Sequence, residues 1–366
     1  MDKLKFTIFV CFVCTVVLFY AISEFVLTRL GLPREYQRHS SPLQFASVAD
    51  PEVGYGNIPN ASIDFVYDGN PRGYFSAGNM VSHHTNNLGF RGPQVALSKP
   101  TNTTRVMFLG DSFTFGEGVR DEDTYAEQFR RLANAPNGRL AQIPGYKPVE
   151  SVNLGVGGFN TSQEWALLND AGNSLSPDYI VIGYTLNDAE GRLFTIEDGR
   201  FVRADREARV AEGLATRVEA PAWIKIFRLH KLLWQAYNQF QLSKKTIQHY
   251  EDIYRTNELD WQKTKSAFSS IGTWSREHKV PVIVVIFPVL YKINNHYPFE
   301  SIHNLVHAEL DKAGLSYIDL WPALKRYRDM DLWVHPTDQH PNEKVHRIAA
   351  EELEKYFLAL VRTTPW

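Results

Sequence analysis

The stretch Val106-Met107-Phe108-Leu109-Gly110-Asp111-Ser112-Phe113-Thr114-Phe115-Gly116 decides the fold. An apolar run breaks off at Gly-Asp-Ser, a glycine-punctuated loop follows, and a helical pattern starts at Thr124. Such an uninterrupted apolar run is the mark of a strand buried on both faces, as in parallel sheets. Open parallel sheets carry their functional groups at the carboxyl ends of their strands, so the run would deliver Ser112 to that edge. Gly, Asp and Ser also suit an ordinary strand-to-helix turn. Segments farther along the chain weigh between the two readings.

Thr124-x-x-Glu127 fits a capping box, and Tyr125, Phe129 and Leu132 fall on one helical face. Lys147 to Asn153 reads as a second strand. It runs into Asn153-Leu154-Gly155-Val156-Gly157-Gly158-Phe159-Asn160, and a helix opens with Thr161-x-x-Glu164. A third strand, Tyr179 to Gly183, leads to Tyr184-Thr185-Leu186-Asn187-Asp188. A helix around Thr264 to Glu277 precedes a fourth strand, Val282 to Phe287, and Tyr317 to Leu320 is the fifth. A closing helix runs from Asn342 to about Leu360. Strands alternating with helices predict an α/β fold, a five-stranded parallel sheet with helices on both faces. Right-handed crossovers place all the strand ends on one edge, so Ser112, Gly158 and Asn187 should converge there.

Composition bounds the rest. The 366 residues are 44% apolar and 22% charged, enough to bury a full core, and the net charge is −2. No Lys/Arg-rich tract supplies a footprint for nucleic acid. Both cysteines, Cys11 and Cys14, lie in the N-terminal apolar run, so the rest of the chain has no thiol nucleophile and no cysteine metal site. That run, Phe6 to Ile22, is broken only by Thr7 and Thr15 and follows Lys3 and Lys5. It reads as an uncleaved signal anchor over residues 1–30, with its basic end in the cytoplasm and the remainder outside, in the periplasm if the source is bacterial. Ala21-Ile22-Ser23 would also pass as a cleavage site, which makes a secreted protein the alternative.

Residues 31–100 are rich in Pro, Gly, Asn and Ser and read as a linker followed by short strands and turns packed on the main domain, 101–366. His83-His84 lacks a third ligand and reads as a surface pair. Arg91, in the turn Asn87 to Gly92, is either structural or within reach of an anionic or sugar ligand. An insertion at about 189–260 shows no clear strand. Its Trp223, Ile226, Phe227, Leu233, Trp234 and Tyr237 suit a helix on the core or facing the membrane, or an aromatic lid.

A serine nucleophile needs a base, a group that orients the base, and donors for an oxyanion. Pro336-Thr337-Asp338-Gln339-His340-Pro341-Asn342 offers an acid and a base on a loop leading into the last helix. The amide of Gly158 and the side chain of Asn187 are candidate oxyanion donors. The G-x-S-x-G elbow, G-x-G-x-x-G, the P-loop and H-E-x-x-H are all absent.

From about Arg105 to Leu360 the chain resembles the SGNH, or GDSL-like, serine esterases and acyltransferases. The resemblance implies a flavodoxin-like fold, Ser112 as nucleophile and His340 as base. It also implies Asp338 as the acid, an oxyanion hole of Gly158, Asn187 and the Ser112 amide, and no metal or organic cofactor. Asp111 and Asp188, beside these blocks, join Arg91 as substrate-binding candidates. The family's last block is Asp-x-x-His, whereas this chain has Asp338-Gln339-His340 with Thr337 at the usual acid position. Asp331, Asp188 or a backbone carbonyl are the rival partners of the imidazole, and His335 and His346 the rival bases. The implied function is removal of O-acyl groups, acetyl above all, from an extracytoplasmic glycan. Lipid esters, acyl transfer by the same triad, and a non-catalytic glycan-binding or assembly role are the alternatives.

Overall fold

The computed structural model describes the chain apart from residues 1, 35, 38–44, 48–49, 198–199, 204–220, 223, 256–258, 295 and 364–366. The chain divides into two compact units, Met1–Tyr36 with Ala208–His249, and Gln37–Glu207 with Tyr250–Trp366.

In the first unit the apolar run forms one helix, Lys3–Arg29. Its 27 residues extend about 40 Å at the α-helical rise, and its most apolar window has a mean hydropathy of 2.5. Among the described residues it is the one helix long and apolar enough to cross a membrane. The insertion comes back to it. The Tyr20 hydroxyl meets His230 Nε2 at 3.0 Å, and Glu24 Oε1 accepts the N–H of Leu229. The insertion's helix, Arg228–Arg255, leaves Leu233, Tyr237 and Phe240 exposed, as is Ile226 just before it. Trp223 lies outside the described residues.

The second unit carries the sheet. Before it come two antiparallel pairs, β1 (Phe45–Ser47) with β2 (Tyr55–Asn57) and β3 (Ser62–Val66) with β4 (Met80–His84). The parallel sheet consists of β5 (Thr104–Gly110), β6 (Val149–Asn153), β7 (Tyr179–Tyr184), β10 (Val282–Ile286) and β11 (Ser316–Asp319) in the order β11-β10-β7-β5-β6. Between β7 and β10 the hairpin β8 (Phe194–Glu197) and β9 (Arg200–Arg203) stands apart from the sheet. The order is flavodoxin-like, with the chain reversing direction across the sheet after β6. β5, β7 and β10 are buried along their whole length, as their apolar runs, Val- and Ile-rich in β7 and β10, require. Helices Tyr125–Ala133 and Glu343–Thr363 pack together on one face, and Phe129 lies between Phe108 of the sheet and Phe357. Helices Thr161–Leu175, Leu259–His278 and Glu300–Ala313 cover the other.

Two local expectations change. The insertion, read as strandless, contains β8 and β9. Their alternating residues flank Asp198-Gly199, a strong hairpin dipeptide in the sequence. The segment after Asp331, read as a loop, is a hairpin of β12 (Trp333–His335) and β13 (Asp338–Pro341). The helix opens at Thr161 as read, and its cap is Asn160, which accepts the Gln163 N–H at 3.0 Å.

The segment around β3 and β4 belongs to the same body as the sheet. Ile63, Phe65, Tyr67, Phe75 and Val81 share one apolar cluster with Val119, just beyond the Ser112 turn, and Val334 of the last hairpin. Two distant stretches are thereby clamped to one support.

Candidate active site

At the carboxyl end of β5 the chain turns sharply. Gly110 has φ +152°, and a Cβ there would sit 2.1 Å from Thr114 Oγ1 and 2.8 Å from the Gly183 carbonyl. Asp111 follows as the cap of a one-turn helix, Ser112–Phe115, its Oδ1 accepting the Phe113 N–H at 2.8 Å. Ser112 is thus the first residue of that turn, 8% exposed. Gly155, from the loop after β6, touches the turn from behind. A Cβ there would meet the Phe115 nitrogen at 2.2 Å, so the approach requires glycine.

Arg91 holds the far side of this turn. Its guanidinium donates to the carbonyls of Phe115, Gly116 and Val119, and Nε donates to Asp121 at 2.6 Å. It stacks 4.7 Å from the Phe115 ring and is 3% exposed. These contacts face the protein, so Arg91 is placed as a brace of the loop rather than as a ligand group.

His340 arrives on β13. Its Nε2 lies 2.9 Å from Ser112 Oγ, and its Nδ1 lies 2.6 Å from Asp338 Oδ1. Side chains two apart on a strand point to the same face, which is why the short Asp-x-His spacing brings the two groups together. Asp338 Oδ1 also accepts the His340 backbone N–H at 3.1 Å, and Oδ2 accepts the Tyr67 hydroxyl at 2.8 Å. Thr337, at the family's usual acid position, instead meets His335 Nδ1 at 2.8 Å.

The remaining candidates lie around the same edge. The Asn187 amide donates to Asp111 Oδ2 at 3.0 Å, leaving its second N–H, while its Oδ1 accepts the Thr185 hydroxyl. Asp111 is fully buried and already accepts from Phe113 and Asn187, so it orients rather than offers itself to solvent. Asp188 accepts the Thr185 N–H at 2.7 Å and is fully buried. Burial pushes its carboxyl well up, with Glu164 and Asp111 adding to the rise, and burial with Asp111 does the same to Glu164. Gly158 sits with φ +76° in the loop after β6, beneath Leu193 and Phe194.

The rivals are engaged elsewhere. Asp331 pairs with Arg328 at 2.8 Å, and His335 Nε2 faces the Asp68 carbonyl at 3.2 Å. His346 Nδ1 accepts the Tyr125 N–H at 3.1 Å. Burial, with Arg91 and His340 nearby, drives the His346 pKa down to about 3, so the ring is neutral. His83 and His84 point to opposite faces of β4. His83 Nε2 accepts the Gly118 N–H, and His84 Nδ1 meets Asp121 at 2.6 Å. Away from this edge, His303 and His307 both hydrogen-bond Asp319 Oδ2, at 2.8 and 3.1 Å, which holds that carboxyl low despite its burial.

Three carboxyl groups set the charge at His340. Burial alone would lower the imidazole pKa, but Asp338, Glu117 and Asp111 overcome it and raise it to about 10. Glu117 Oε2 stands 3.6 Å from Nε2, and burial raises its own pKa to about 7 against the pull of His340.

Residues 108–348, which include the Gly-Asp-Ser turn at the end of β5, match the GDSL-like lipase/acylhydrolase family. The chain belongs to that family. It is accordingly a carboxylic ester hydrolase. No curated protein matches it. Among solved structures it is similar to a two-domain esterase active on acetylated mannans, at 16% identity and a TM-score of 0.39, over 71% of this chain and 50% of the other. The chain thus spans about half the length of that esterase. It is also similar to a catalytic mutant of the acetylxylan esterase Axe2 from Geobacillus stearothermophilus, at 15% identity and a TM-score of 0.40, over 69% of this chain and 93% of the other. A third likeness is to TesA, at 12% identity and a TM-score of 0.40, over 70% of this chain and 99% of the other.

Within this GDSL-like hydrolase the sequence passes over three residues at the site. Glu117 lies five residues beyond Ser112 and directly follows the decisive stretch, which was the available signal. Thr185 precedes Asn187 by two. Tyr67 carries no signal at all, being 271 residues from Asp338.

Proposed function

We propose that this hydrolase is a membrane-anchored extracytoplasmic serine esterase that removes O-acyl groups, chiefly acetyl, from a glycan. The observation that carries the mechanism is the continuous line Ser112 Oγ, His340 Nε2, His340 Nδ1 and Asp338 Oδ1, with links of 2.9 and 2.6 Å. Nδ1 faces a carboxylate and so keeps its proton, leaving Nε2 to take the one on Ser112 Oγ. Oγ then attacks the ester carbonyl, and the developing oxyanion is held by the Ser112 and Gly158 amides and the second N–H of Asn187. The proton on Nε2 passes to the leaving alcohol, and water repeats the sequence in reverse to release the acid. The placement outside the cytoplasm rests on the helix Lys3–Arg29 and the lysines before its apolar run. The glycan substrate rests on that placement and on the family.

The test uses the full chain in detergent micelles with a fluorophosphonate probe. The expected result is stoichiometric labelling that Ser112→Ala abolishes, together with acetate release from acetylated polysaccharides. A folded wild-type protein that is never labelled would overturn the esterase reading. A reporter active only outside the cytoplasm, fused after Trp366, should work, and a mature protein starting near Glu24 would replace the anchor with a cleaved signal.

A further inference from the structure

Of the buried carboxyls that the reaction leaves unused, Glu117 stands beside the base. Glu117 is 5% exposed and stands on the Nε2 side of His340, opposite Asp338. Its position is set from several directions. Its backbone N–H donates to the Ser112 carbonyl at 3.0 Å. Next to it, Gly118 donates to His83 Nε2 at 3.1 Å. Gly118 also packs so closely on the last hairpin that a Cβ would lie 2.5 Å from Val334 and 2.7 Å from the Tyr67 hydroxyl. Glu117 is therefore tied at once to the nucleophile, to β4 and to the base hairpin.

Such a placement has a chemical consequence. An anionic carboxylate facing Nε2 stabilises a proton on that nitrogen, which is the form of His340 that cannot accept one from Ser112. The same carboxylate is the nearest acceptor able to remove that proton.

We propose that Glu117 is a positioning residue that shares one proton with His340 across Nε2 and holds it while His340 acts as the base. At rest the pair is imidazolium and carboxylate. When an ester covers the site, water leaves and the separated charges become costlier. The Nε2 proton then passes to Glu117 Oε2, giving a neutral carboxylic acid and a neutral imidazole whose remaining proton, on Nδ1, faces Asp338. Nε2 is then free to receive the Ser112 proton as Oγ attacks. One proton moves, and no outside acid or base takes part. The 3.6 Å separation must shorten to hydrogen-bond length, a tightening usual between a resting site and its complex.

The surrounding charges agree with this role. Asp338 on the hairpin and Asp111 in the turn favour protons on the pair, and Arg91, from beyond β4, opposes them on Glu117. His83 stays neutral, its pKa driven well below the usual value first by burial and then by Arg91. Tyr67, held to Asp338, stays protonated because burial and that carboxylate both push its pKa up. The pair thus carries two protons below about pH 7, where Glu117 is neutral and His340 charged, and one proton between there and about pH 10.

The proposal rests on the serine-esterase reading, and its test separates the two. Full-length protein in detergent, carrying ring-labelled histidine, is titrated by NMR, with the His340 signal assigned by its loss in His340→Gln. The expected wild-type curve has two inflections, one near pH 7 as Glu117 ionises and one at higher pH. In Glu117→Gln the first inflection vanishes and the second moves down by at least one pH unit. The fluorophosphonate labelling rate, measured across the same range, rises in two steps for wild type and in one for the variant. If His340 titrates identically in wild type and in a Glu117→Gln protein that melts at the wild-type temperature, the shared proton is refuted. If the titration behaves as expected but Ser112 never labels, the esterase reading falls while the proton pair stands.

Discussion

Ser112 and His340 meet at 2.9 Å, but the turn that bears the one and the hairpin that bears the other are held in different ways. The Ser112 turn is fixed largely by its neighbours in sequence. Gly110 allows the sharp exit from β5, Asp111 caps the turn, and Thr114 folds back toward the Leu109 carbonyl at 3.3 Å. The hairpin has local support from Asn342, whose amide donates to the Asp331 and Trp333 carbonyls, but it leans further on distant parts of the chain. Trp333 Nε1 donates to the Leu290 carbonyl, and Arg72 donates to the Trp333 carbonyl and pairs with Glu343. Asp338 is held by Tyr67. A nucleophile can thus be placed by local backbone geometry, while its base depends on contacts that only the folded chain creates.

Removing either chemical group is the strongest way to probe that contrast. Ser112→Ala and His340→Ala should each lower kcat/KM on p-nitrophenyl acetate by roughly 10,000-fold or more, and the double variant should lose little beyond either single one. Losses that multiply in the double variant would show that turn and hairpin act separately.

Asp338→Asn is the next step down. An amide cannot hold the Nδ1 proton as a carboxylate does, so the variant should lose roughly 100- to 10,000-fold, less than His340→Ala. Full activity here, with a crippled Asp331 or Asp188 variant, would assign the acid elsewhere and leave the hairpin without a chemical role.

Tyr67→Phe gives the smallest and most selective effect. It removes one hydrogen bond to Asp338, worth about 1 kcal/mol, and should reduce kcat/KM by roughly three- to tenfold without altering the Ser112 turn. Unchanged kinetics would mean that the β3–β4 segment supports the hairpin by packing alone.

The same contrast explains what could be read in advance. The parallel sheet was legible because strands buried on both faces carry long apolar runs, as β7, β10 and residues 106–109 of β5 do. Ser112 was legible because Gly-Asp-Ser breaks such a run. The β8–β9 hairpin is also legible in Asp198-Gly199 and in the alternation that flanks it. Arg91 was ambiguous because a buried brace and a ligand group require the same cation. Only its partners, the carbonyls of Phe115, Gly116 and Val119, separate the two.

By itself the sequence determined the order of the five parallel strands and the helices between them, the sheet edge at which Ser112 emerges, and the apolar helix at the N-terminus. Each of these follows from periodicity and turn chemistry over a few residues. Tertiary structure alone decided that Asp338 can orient His340 and that Thr337 cannot. The reason is that Asp338 and His340 lie on a strand, where side chains two apart share a face, and that strand exists only because β12 pairs with it. It alone likewise brought Tyr67 to Asp338 and turned Glu117 toward Nε2. No spacing rule connects groups that meet through an apolar cluster drawn from three separate parts of the chain.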